Sequence, residues 1–147
     1  MRTQGFSEED QMAESLVEEY EDVLQNIEFA LVGAYDRNPN LTDTGAMYAV
    51  ETLIKAYTGE LRGREVTAPQ FKPEEREAYD AAKAMCDFRL GRTSMEDEKG
   101  KKVEVAGEPL TLEEILACLK RILKSINTWY KRGGRRGYYE FVRQFIR

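Results

Sequence analysis

The sequence predicts an all-α domain: four long helices in an antiparallel bundle, closed at one end by a short fifth C-terminal helix. Three observations carry that expectation. Apolar residues recur at steps of three and four in four separate stretches. Each stretch opens on a capping residue or a proline, and each stops at glycine or an Asn-Pro turn. Only one short run, Val103-Glu104-Val105, has the alternating period of a strand.

The first helix starts at Ser7, with Asp10 in its first turn, and its seam runs Leu16, Tyr20, Val23, Ile27, Ala30 or Leu31, and Ala34. It stops at Asn38-Pro39. Thr42 or Asp43 caps the second, whose stripe is Met47, Val50, Leu53 or Ile54, Tyr57 and Leu61. The short link between them implies an antiparallel pair. Gly45 is a weak spot or a place of close approach, and Gly59 and Gly63 suggest fraying at the far end. Residues 63–72 form a connector from which Val66 and Phe71 tuck against the core. Pro73 fits a first helical position, and Glu74, Glu75 and Glu77 suit a positive helix end. Ala78, Ala81, Ala82, Met85 and Phe88 make a face of mostly small residues that lets a neighbour come close.

Residues 92–109 break the pattern as a long polar loop or a short hairpin turned at Lys99-Gly100. Thr111 and Glu114 then form a capping box, with Leu110 stapled onto Ile115. The seam that follows is Leu112, Ile115 or Leu116, Leu119, Ile122 or Leu123, Ile126 and Trp129 or Tyr130. Gly133-Gly134 ends it. The last helix shows Tyr138, Phe141 or Val142, and Phe145 on one side.

Composition bounds the function. The chain has 147 residues, 41% of them hydrophobic, which is one domain's worth with a core of ordinary size. There is no histidine, so the commonest general base and metal ligand is missing. Cys86 and Cys118 make no metal or redox spacing and read as core residues in a reducing compartment. No apolar run spans a bilayer, and the opening residues lack a signal core, so the expected location is cytoplasmic. Glu74, Glu77 and Asp80 share one side of a helix and could meet a hard cation. Acids at a helix start, however, ordinarily face water and serve the dipole. No catalytic residue, metal ligand or cofactor is expected.

Charge is the main functional lead. The formal net charge of −5 hides a gradient. Residues 1–37 hold ten acids and two arginines, whereas residues 112–147 hold three acids and nine bases. In an up-down bundle the first and fourth helices are antiparallel neighbours. Lys120, Lys124 and Lys131 would then face Glu14, Glu18 and Asp22. The competing reading is a polyanion site at Lys131, Arg132, Arg135, Arg136, Tyr138 and Tyr139, where cations alternate with rings as in single-strand binders. A lipid surface is a third option, for which the last helix is short.

The stretch Val23-Leu24-Gln25-Asn26-Ile27-Glu28, Asn38-Pro39-Asn40-Leu41-Thr42-Asp43, Leu53-Ile54-Lys55-Ala56-Tyr57 and Gly63-Arg64 is similar to a group of uncharacterised bacterial all-helical proteins, over residues 22–92. The resemblance implies a helical prokaryotic protein and brings no activity, cofactor, partner or site residue. The expected function is a non-enzymatic interaction or scaffold module that self-associates. Nine amphipathic aromatics (eight tyrosines and one tryptophan) exceed what one small core needs, so some should suit an interface. Nucleic-acid binding through the basic C-terminal segment is the alternative.

Overall fold

The computed structural model describes residues 20–96, 98–103 and 108–145. The expected helix start at Ser7, and the acids Glu14 and Glu18, lie outside the described residues. Within them the chain is all-α. Four long helices, α1 (Glu21–Arg37), α2 (Asp43–Leu61), α3 (Pro73–Arg89) and α4 (Leu112–Gly133), are followed by a 3-10 turn at Gly134–Arg136 and a short α5 (Gly137–Arg143). No helix among the described residues is long and apolar enough to cross a membrane.

The local signals explain where the helices begin. The Thr42 hydroxyl accepts the Gly45 amide at 3.1 Å and caps α2. Pro73 opens α3, and the Glu75 carboxylate accepts the Lys72 amide. At α4 the box closes in both directions: Thr111 Oγ1 accepts the Glu114 amide, and Glu114 Oε1 accepts the Thr111 amide. Between α3 and α4, Met95–Glu96 (β1) pairs antiparallel with Lys102–Val103 (β2), and Gly100 sits at positive φ in the link. Residues 92–109 thus contain the short hairpin rather than an open loop.

The core follows the seams. Val23, Ile27 and Leu31 on α1 meet Val50 and Leu53 on α2, Ala78, Ala82 and Cys86 on α3, and Ile115, Leu119, Ile122 and Ile126 on α4. Each fully buried Leu or Ile contributes about 1.5–3 kcal/mol through removal of apolar surface from water. The alanine face of α3 lets α1 and α2 lie close to it, and α2 packs at length on α4.

Helix direction departs from the simple antiparallel expectation. Tyr20 at the start of α1 bonds Glu114 at the start of α4, while Tyr35 and Asn38 at its end meet Arg136 just beyond the end of α4. Helices α1 and α4 therefore run the same way. So do α2 and α3: Tyr48 reaches Gln70 and Phe71 just ahead of α3, and Tyr57 reaches Asp87 near its end. The remaining pairings are antiparallel; Arg37 and Asn38 bond Glu77 at one end of the α1–α3 contact, and Asp22 faces Arg89 at the other.

The cause is the connector. The chain reverses at Arg62-Gly63, with Gly63 at positive φ, and residues 64–72 run back along α2, which is about 28 Å long. Nine extended residues reach roughly 30–32 Å, enough for the return. Gly59 makes room for this path: a Cβ there would overlap the Val66 side chain. The Arg64 amide bonds the Gly59 carbonyl at 2.7 Å. Gly59 is thus buried under the connector rather than marking a frayed end.

Candidate functional site

The six residues expected to hold a polyanion lie together at the end of α4, but the structure divides them into two groups. Arg136, Tyr138 and Tyr139 are built into the fold. Lys131, Arg132 and Arg135 are exposed.

Asp43 organises the first group. Because Thr42 caps α2, Asp43 is released from that task and is fully buried. Its carboxylate accepts the Tyr35 hydroxyl at 2.6 Å and the Tyr138 amide at 2.8 Å, with the Tyr139 amide adding to these. A side chain from α2 thereby serves as the anion at the start of α5. Burial holds the Asp43 carboxyl above the usual carboxylate range, opposed by those hydrogen bonds and by the nearby Arg136 charge.

Arg136 does the complementary work at the end of α1. Its Nε donates to the Leu41 carbonyl at 3.0 Å, and its terminal nitrogen donates to the carbonyls of Tyr35 at 2.9 Å and Asn38 at 3.5 Å. The guanidinium lies 5.2 Å from the Tyr35 ring centre and 4.4 Å from that of Tyr139. Asn38 completes the cap through the Ala34 carbonyl. Tyr138 is buried, and its hydroxyl donates to Glu28 at 3.3 Å. The Tyr139 hydroxyl donates to Asp36 at 2.6 Å. The buried Tyr138 is therefore closed to a ligand, which corrects the reading that it stacks on one, while the half-buried Tyr139 ring packs against Tyr35 and Arg136. Gly137 permits the junction, since any Cβ there would overlap the Trp129 carbonyl.

Of the acids expected opposite the lysine row, Glu14 and Glu18 lie outside the described residues. Asp22 faces Arg89 at 3.6 Å and not the lysine row. The parallel course of α1 and α4 places Lys131 at the opposite end of the molecule from Asp22. Asp36, near the end of α1, meets Arg143 on α5 at 3.8 Å. Between α1 and α4, Arg121 lines a hollow with Glu21 and Glu28. Burial raises the Glu28 carboxyl above its ordinary range, against the opposing pull of Tyr138 and Arg121.

The second group borders open surface. Lys131 and Arg135 line a hollow with Thr42, Thr44, Tyr130 and Gly134 at the start of α2. On the other side of α4 the Arg132 guanidinium lies 5.2 Å from the Trp129 ring. Trp129 stacks on Phe141 at 3.8 Å and 13°, and Phe141 meets Phe145 edge-on at 5.1 Å. Phe145, expected on a core face, is 69% exposed. Helix α5 ends at Arg143, so the apolar period that placed Phe145 inward no longer applies.

Other candidate chemistry is already engaged. Glu77 bonds Arg37 and Asn38, which hold its carboxyl below the ordinary range. Cys86 and Cys118 are buried, and burial pushes both thiols up, Cys118 to about 11, so neither is an active nucleophile at neutral pH. No family model, curated protein or solved structure matches the chain.

The division gives two expectations. Arg136→Ala should lose about 2–4 kcal/mol of stability, because several buried carbonyls lose a charged donor, whereas Arg135→Ala should stay within about 0.5 kcal/mol of wild type. Urea titrations of both variants decide this, and equal effects would contradict it. The second concerns Glu28. A carboxyl raised in the folded state contributes stability below its unfolded pKa and loses it as pH rises through the folded value. Glu28→Gln keeps an acceptor for Tyr138 and does not titrate, so it should gain on wild type as pH rises above the ordinary carboxyl value of about 4.3. A variant that instead falls behind as pH rises contradicts the burial argument.

Proposed function

We propose that the chain is a non-enzymatic interaction module, a helical scaffold that self-associates, and that it works in the bacterial cytoplasm. The observation that supports this reading is the apolar surface along α2 and its connector. Tyr48, Leu61 and Val66 are each about two-fifths exposed, and Phe71 packs edge-on against Tyr48 at 5.3 Å. The connector lies extended over α2, and half-exposed aromatic and aliphatic groups on a fixed scaffold are suited to a protein interface. The rigid core beneath lowers the ordering cost of association.

A second reading has its own observation. Lys131, Arg132 and Arg135 are exposed within five residues, and none makes an ion pair with any described residue. Such a local excess of one sign attracts a polyanion even on a protein whose total charge is negative.

Sedimentation velocity across a wide concentration range tests self-association. The expected result is a concentration-dependent shift to a defined oligomer, weakened by Tyr48→Ser with Val66→Asp while the helical circular dichroism signal is unchanged. A monomer at every concentration overturns the reading, as does an oligomer indifferent to both substitutions.

A further inference from the structure

The basic end of the molecule carries a feature that the pattern of cations alone does not provide. Arg132, Trp129, Phe141 and Phe145 form a continuous ladder: guanidinium over indole, indole stacked on ring, ring against ring. The inner rungs are partly buried, but Phe145 at the end is 69% exposed. Its edge-on contact with Phe141 occupies one side of the pair and leaves an aromatic corner for a planar group.

We propose that this ladder is a stacking platform for an unpaired base of a single-stranded nucleic acid, with Lys131, Arg132 and Arg135 neutralising the flanking phosphates. The proposal rests on the polyanion reading above and names its ligand class. Charge complementarity selects the occupant. A second copy meeting this face about a two-fold axis would bring the same three unpaired cations of each chain together, a repulsive arrangement. A lipid surface needs a broad apolar face, but α5 has seven residues and turns Tyr138 and Val142 into the core. A single strand supplies what both lack: planar rings for the aromatic corner and a negative charge at each phosphate.

Fluorescence anisotropy with a short labelled oligothymidylate and an abasic strand of the same length tests this. At low salt the oligothymidylate should bind roughly fivefold or more tighter than the abasic strand. Phe145→Ala should erase that preference without changing the salt dependence. Lys131→Ala with Arg135→Ala should lower the salt slope by about 1.4 while keeping the preference. All three substitutions lie on exposed side chains, and urea titration verifies that the variants fold. Equal binding of the two strands overturns the stacking platform and leaves the polyanion reading in place. No binding of either strand, or of heparin, overturns both. Binding to phosphatidylserine vesicles without binding to either strand also overturns the proposal, placing the ladder at a lipid surface instead.

Discussion

The buried carboxylate of Asp43 and the guanidinium of Arg136 tie the C-terminal segment to the link between α1 and α2. Each answers a problem that helices create for themselves. The first amides of α5 have no partner within that helix, and Asp43 accepts one at 2.8 Å. The last carbonyls of α1 have no partner within theirs, and Arg136 donates to them. Tyr35 joins the two halves by donating to Asp43 while its ring lies beneath Arg136. A buried carboxylate left without these donors would carry a desolvation cost of several kcal/mol. The position of α5, and the split of the basic segment into a built-in Arg136 and an exposed Arg135, follow from this knot.

The same knot accounts for the charge gradient along the chain. An acidic first segment and a basic last segment suggest two surfaces cancelling each other. Among the described residues, one arginine of the basic segment is consumed inside the fold, and α1 acids meet Arg89 on α3, Arg143 on α5 and Arg121 on α4. What remains exposed at the α4 end is a local positive excess beside aromatic rings. Total charge is therefore a poor guide to this surface, since fields are set by which charges stay unpaired.

Much of the fold was legible because its signals are local. Thr42, Pro73 and the Thr111–Glu114 box act within one helical turn, and the hairpin at Gly100 depends on a single backbone position. The seams were legible for the same reason, as a period of 3.6 requires no knowledge of neighbours. Helix direction was not, because nothing local tells that residues 64–72 return along α2. Their path is fixed by Gly59 accepting Val66 and by Tyr48 holding the Gln70 carbonyl, contacts that exist only after α2 has formed. Within the candidate site, Arg135 and Arg136 are identical neighbours with opposite roles. One signal was available: with Thr42 and Asp43 both able to cap α2, the acid not needed there had to find other donors. Phe145 was misread because its helical spacing continues past the point where α5 stops.

Native-state hydrogen exchange at the Tyr138 amide tests the central claim most directly. If Asp43 holds α5 to the core, this amide exchanges only when the α4 interior around Ile122 and Ile126 also opens, with the same free energy and the same denaturant dependence. Exchange through a small local opening, orders of magnitude faster than the α4 interior and insensitive to Asp43→Asn, would mean that α5 is loosely attached and that the knot does not organise this end of the molecule.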